Sequence, residues 1–303
     1  LTEYVQIREI GVEYTDLFWI NIRVRLIAQL LSLMAIFVLF GINSLIIRRV
    51  SLKDNYDLGI IRRISPMLLV TFIVSFLASR FISDTVYSRF LTFVHSTGFG
   101  KIDPVFNQDI GYYLFQRPFM ISLVESIRAV LLVQVIYTVV VYVMLYLRSG
   151  IENIGNITKE KPIIIHVIIN LMLLFLAIAL GYRYSAEEVL YNNTNGMIGA
   201  TYTDIHVWVP YYKIAPYILI IVAGVSIYLL LKGQLKRAVV SIAVFPSLWV
   251  FTAIVAFTVQ TLVVAPNDID MESANISNNI YMTREAYSLD KIIETEFPIN
   301  NTL

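Results

Sequence analysis

The sequence predicts an all-α membrane protein: a polytopic transmembrane helix bundle with about six spans. Three observations carry that expectation. Hydrophobic residues make up 57% of the 303-residue chain and charged residues only 15%, against ~25% charged in an ordinary soluble domain. Apolar stretches recur, each near the ~20 residues needed to cross ~30 Å of hydrocarbon. They are continuous and do not alternate with period two, which selects helices over a barrel.

In chain order the apolar runs fall at about Leu26–Ile47, Ile64–Ile82, Pro118–Leu147, Pro162–Tyr182, Ile214–Leu231 and Val239–Val264. Pro66 sits in the first turn of the second run, and Pro118 and Pro162 lead the third and fourth. Proline is tolerated there because its missing N–H has no partner in a first turn. Pro246 lies inside the sixth run, where it predicts a kink. The chain thus divides into an external N-terminal segment over 1–25, a six-helix domain over 26–264 and a polar stretch over 265–303.

The connections give an orientation. Arg48, Arg49, Lys53, Arg62 and Arg63 follow the first run; Arg148, Lys159 and Lys161 follow the third; Lys232, Lys236 and Arg237 follow the fifth. The positive-inside rule places these in the cytoplasm. Both ends of the chain are then extracytoplasmic, and an outside start at Leu1 implies a further helix upstream. Trp19, Tyr112, Tyr113, Tyr182, Trp208, Tyr211 and Tyr212 fall at the expected headgroup level, as an aromatic belt would. The outer connections Asp84 to Arg117 and Arg183 to Tyr211 are too long for simple hairpins. Short re-entrant or interfacial helices are expected in them. After Val264 the chain turns polar, with Asp268, Asp270, Glu272, Glu285, Asp290, Glu294 and Glu296. This reads as a linker into an outer domain.

Composition and motifs exclude several functions. A net charge of +1 argues against a nucleic-acid partner. With no cysteine there is no disulfide, thiolate metal site or cysteine nucleophile. There is no Walker A loop, G-x-S-x-G elbow or H-E-x-x-H helix, and no cofactor is implied. The Gly98–Gly100 Gly-Phe-Gly is too short to cradle phosphate and reads as a hinge.

Ionisable groups inside a bilayer are rare, so each is a candidate site. Arg80 lies in the outer part of the second run, with Asp84 one helical turn on; snorkelling or pairing with Asp84 is the plainer reading. Glu125 and Arg128 share a face of the third run and can satisfy each other, or serve an ion relay. His166 and Asn170 share a face of the fourth; one His and one Asn make a poor zinc site, and interhelical hydrogen bonding is the better reading. Gln134 and Gln260 are candidates for the same role. In the outer loops Asp103, Asp109, Asp204 and His206 are candidate metal ligands, offering carboxylate and imidazole. The alternative is structural: Asp103 before Pro104 sets a turn, and Asp204 caps a short helix.

Three segments carry a resemblance: DPVFNQDIGYYLFQRPF over Asp103–Phe119, GATYTDIHVWVP over Gly199–Pro210, and VVAPNDIDMESANISNNIYMTREAYSLDKI over Val263–Ile292. Together they resemble the bacterial membrane proteins of uncharacterised protein family 0182, as does the opening IREIGVEYTDLFW. The resemblance implies a bundle of about seven helices, of which this chain holds the last six, and a large extracytoplasmic domain beginning near Asn267. It implies no activity. The family's Pro-Tyr pair after Glu272 is replaced here by Ser273 and Ala274.

Three functions compete. The first is an anchor and scaffold for a large outer domain at the bacterial cell envelope, with the lipid bilayer and envelope proteins as partners. The second is a transporter or lipid-handling channel using Arg80, Glu125, Arg128, His166 and Asn170. The third is a membrane-embedded envelope enzyme using the loop acids and His206 for acid–base or metal chemistry. The first accords best with the scarcity of intramembrane charge.

Overall fold

Helix is the only way a lipid-buried backbone can satisfy its own polar groups without closing a barrel, and helix dominates here. The computed structural model describes residues 2–53, 64–148, 160–194, 197–293 and 295. Arg62, Arg63, Lys159, Glu294 and Glu296 lie outside the described residues. The elements are α1 (Thr2–Ile10), α2 (Thr15–Lys53), α3 (Ile64–Val94), α4 (Arg117–Arg148), α5 (Lys161–Glu187), α6 (Val209–Leu231), α7 (Leu235–Val259) and α8 (Asp268–Ala286). Among the described residues six helical stretches are long and apolar enough to cross a membrane. Residues Asn193–Thr194 and Met197–Ile198 pair as a minimal antiparallel hairpin, β1 and β2.

The helices outrun their apolar cores. At 1.5 Å per residue the 39 residues of α2 span ~58 Å, nearly twice the hydrocarbon thickness. The segment 1–25, expected as an external stretch, supplies α1 and the first turns of α2, because nothing in Thr15–Arg25 breaks a helix. Helical structure in the long connections takes mainly the form of such extensions. α3 continues to Val94, a π-helical turn at Tyr112–Gln116 leads into α4, and another at Asp204–Trp208 leads into α6; a short 3-10 turn occupies Glu188–Tyr191. Pro216 and Pro246 both lie inside helices, α6 and α7.

Two compact units result. One comprises Leu1–Tyr184 with Ile214–Ser247, the other Ser185–Lys213 with Leu248–Leu303. In the first, Ile47 and Val50 of α2 pack with Tyr142 and Leu145 of α4 and Ile163 of α5, and a second cluster joins Leu131 to Leu174 and Ala177. α3 meets α2 through a row of small residues one turn apart. Thr71, Ser75, Ser79 and Ser83 are all buried, and Ser32 reaches the Ser79 carbonyl. Small side chains let membrane helices approach closely, which substitutes for the missing hydrophobic drive. The large apolar side chains point outward instead: Leu77, Phe81, Ile254 and Phe257 are each more than half exposed.

In the second unit, α7 runs through a π-helical turn at Gln260–Val264 and a 3-10 turn at Ala265–Asn267 into α8. The stretch expected to be a linker is therefore largely helix. Asp268 and Asp270 stand at its positive end and Arg284 at its negative end, where they favour the helix dipole.

Candidate functional site

The loop between α3 and the Tyr112–Gln116 turn closes on its own carboxylates. Asp109 Oδ1 accepts the N–H groups of Phe99 (3.0 Å) and Gly111 (2.7 Å), and Oδ2 accepts that of Gly100 (2.8 Å). These backbone donors, Phe99 first, hold the Asp109 pKa below its ordinary value, against a smaller opposing effect of desolvation. The Gly-Phe-Gly expected as a hinge is thus one side of a clasp. Gly100 has φ +67°, and a Cβ on Gly111 would stand 2.3 Å from the Thr97 carbonyl oxygen, so both glycines are required as such. Asp103 is buried, and its Oδ2 accepts from Phe106 N–H (2.6 Å) and Tyr113 O–H (3.2 Å). It fixes the turn that Pro104 enters.

The second unit repeats the device. Thr201 and Asp204 form a reciprocal capping box. Asp204 Oδ2 accepts the Thr201 N–H (3.1 Å) and O–H (2.9 Å), and Thr201 Oγ1 accepts the Asp204 N–H (3.2 Å). Asn192 donates to the other Asp204 oxygen. His206 is exposed, stacks on Tyr202 at 4.0 Å and holds the Tyr202 carbonyl through Nδ1. The buried Glu272 of α8 receives the Tyr202 N–H on both oxygens at 2.9 Å, and Asn275 Nδ2 on one at 2.7 Å. Asn279, two turns further, donates to the Ile198 carbonyl, and Thr203 donates to Gln260. Glu272, Asn275 and Asn279 were not singled out as a set from the sequence. Their i, i+3, i+7 spacing on one helical face was the available signal.

No group of three or more His, Asp or Glu residues among the described residues could hold a metal ion. Asp109 and Asp204 accept N–H or O–H donors on both carboxylate oxygens, and Asp103 does so on Oδ2.

Within the membrane-spanning helices of the first unit, polar side chains meet across helices. Tyr142 of α4 bonds His166 Nδ1 of α5 at 2.8 Å. Gln134 donates to Asn170, which donates to Asn43 of α2 (3.2 Å), whose oxygen also takes the Thr138 O–H (3.1 Å). Ser44 sits 3.3 Å from both Thr71 and Tyr137. Asn43 Nδ2, Gln134 Oε1 and Ser75 Oγ are buried without a protein partner. Asn43 and Tyr142 were not anticipated, because single polar residues disappear inside apolar runs. Arg80 does approach Asp84, but only to 3.7 Å; the carboxylate is taken by Arg25 at 2.5 Å. Glu125 and Arg128 stand 3.7 Å apart, both well exposed.

The sequence model of the uncharacterised protein family UPF0182 matches residues 2–303. The chain belongs to this family. A UPF0182 protein of Caldicellulosiruptor saccharolyticus is 32% identical over 99% of the chain and 33% of its own length. Relatives from Clostridium acetobutylicum (31%, 78% of the chain and 27% of the relative) and Clostridium botulinum (30%, 96% and 34%) are similar. The chain therefore spans about a third of the length of the curated relatives it matches. No solved structure matches it.

The three segments by which the UPF0182 resemblance is read each hold or adjoin a π-helical turn: Tyr112–Gln116, Asp204–Trp208 and Gln260–Val264. Such turns cost hydrogen-bond geometry and are retained where a side chain must be re-aimed. Here the Thr203–Gln260 bond joins the entry of the second turn to the start of the third. Tyr202–Glu272 joins the second and third segments directly, and Thr203–Gln260 and Asn279–Ile198 each tie one of them to residues at the edge of the other.

Proposed function

We propose that this UPF0182 chain is the membrane-embedded part of a larger bacterial envelope protein, which it anchors and positions. In this reading the basic connections face the cytoplasm, and both ends, with the clasped loops, face outward. The observation that carries it is the use made of the loop acids. Asp103, Asp109, Asp204 and Glu272 are spent on backbone amides, which makes rigid loops suited to seating a partner and leaves little for acid–base or metal chemistry. The length of the relatives supports it too, since two thirds of each lies beyond the matched region.

The test replaces α3 to α7 in a full-length family protein with a single spanning helix and measures surface display and rescue of a deletion strain. Full rescue is expected. Normal display with lost rescue would overturn anchoring.

A transporter is the second reading, favoured by the buried and unpartnered Asn43 Nδ2, Gln134 Oε1 and Ser75 Oγ. Single cysteines at Arg80, Arg128, His166 and Asn170, treated with a membrane-impermeant thiol reagent, separate the two. Labelling at His166 or Asn170 from outside reveals a water path and favours transport. Protection of both from each side favours the anchor.

A further inference from the structure

We propose that Arg80 and Arg25 hold the phosphate of an anionic phospholipid. Two guanidinium groups share one carboxylate. Asp84 is committed to Arg25, through Nη2 at 2.5 Å and Nε at 2.8 Å, and the Arg25 guanidinium also lies over the Tyr87 ring. Among the described residues Arg80 makes long contacts, 3.7 Å to Asp84 and 3.4 Å to Gln29 Oε1. Both exceed the 2.7–2.9 Å of a charge-assisted hydrogen bond. Its side chain is 51% exposed, in a row with Leu77 and Phe81, which face outward.

Depth fits the same partner. Arg25 ends the apolar run of α2, so the Arg25–Asp84 pair marks the edge of the hydrocarbon. Arg80 lies four residues from Asp84, ~6 Å further into the apolar band. A long arginine side chain snorkels over that distance, and its planar fork donates to two phosphate oxygens. The surplus positive charge selects a lipid of net negative charge, such as phosphatidylglycerol, over zwitterionic phosphatidylcholine.

This goes beyond the anchoring reading and fails separately from it. A delipidated full-length family protein is exposed to mixed phosphatidylglycerol and phosphatidylcholine micelles, and retained lipid is counted by native mass spectrometry. Preferential phosphatidylglycerol retention is expected, falling about two- to fivefold in Arg80→Gln, the scale of one partly screened charge pair. Arg80→Lys should lose less, and Asp84→Asn, which frees both guanidinium groups, should retain more. Size-exclusion elution and melting identify folded variants; if Arg80→Gln does not fold, the opposed shifts of Arg80→Lys and Asp84→Asn decide. Wild-type retention in Arg80→Gln, no gain in Asp84→Asn, equal retention of phosphatidylcholine, or displacement by excess inorganic phosphate would each overturn the proposal.

Discussion

Glu272 makes the most exposed claim about how the second unit holds together. The Tyr202 N–H lies in the first turn opened by Thr201, where an amide has no partner within its own helix. Glu272 supplies one from 70 residues away, with both oxygens at 2.9 Å. A hydrogen bond to a charged acceptor contributes ~1.5–3 kcal/mol, a neutral one ~0.5–1.5. Glu272→Gln keeps a neutral acceptor, so it should cost about 1 kcal/mol. Glu272→Ala removes the acceptor for Tyr202 and for Asn275 alike, and should cost about 2 kcal/mol after discounting for the partial exposure of Tyr202. Hydrogen exchange at the Tyr202 amide reads this locally, since ~1.4 kcal/mol is tenfold in an opening equilibrium. Exchange should therefore speed by about fivefold in the Gln variant and about thirtyfold in the Ala variant. If both variants exchange within about twofold of wild type, the clasp is held elsewhere. Asn279→Ala would then show the loss instead, because the Asn279–Ile198 bond is a further side-chain link from α8.

Other expectations follow from the same geometry. The folded pKa of Asp109 lies below its ordinary 3.8. Its contribution is thus fully present above that value and is lost only as pH falls through the lower folded one. Exchange at Phe99 and Gly100 should stay slow to below pH 3.8, and Asp109→Asn should abolish that acid dependence. Gly111→Ala forces a Cβ to 2.3 Å from a carbonyl oxygen and should cost about 2–3 kcal/mol. Gly41→Ala, in helix α2 with nothing within 4 Å, should stabilise by about 0.5–1 kcal/mol. Melting in one detergent compares the two, and equal shifts would refute the packing argument. Asn170 makes two bonds to other helices and one to the His166 carbonyl of its own, Gln134 makes one to another helix, and bonds between membrane helices average ~0.6 kcal/mol. Asn170→Leu should therefore cost about 1 kcal/mol and Gln134→Leu about half that; the reverse order by unfolding in detergent would show the unpartnered Gln134 oxygen to be engaged.

The six spans were legible because each is a long apolar run, and leading prolines at 118 and 162 fall within two residues of the helix starts. What hydropathy could not see was helix outside the apolar band. Thr15–Arg25 and Asp268–Ala286 are polar enough to read as segment or linker, yet their charges suit a helix and nothing in them breaks one. The i,i+4 pairing of Arg80 with Asp84 was legible as a contact, but a competing Arg25 59 residues away was not. Sequence spacing ranks local partners and is blind to those brought by another helix. The same blindness hid Asn43 and Tyr142, whose value lies in the partners that α4 and α5 present.

The acids carry the argument about function furthest. A carboxylate poised for chemistry keeps a lone pair directed at substrate, metal or water. Asp109 directs its two oxygens at three amides, and Glu272 directs its two at one amide and one carboxamide. At Asp109 such acceptance holds the pKa below its ordinary value, which favours the ionised form. It also holds the backbone at Gly100, whose φ is positive. Acids placed this way cost the protein little, because each pairs donors that would otherwise be left unpaired, Asp103, Asp109 and Asp204 in their own loops and Glu272 in another segment. What these bonds set is the shape of the two loops.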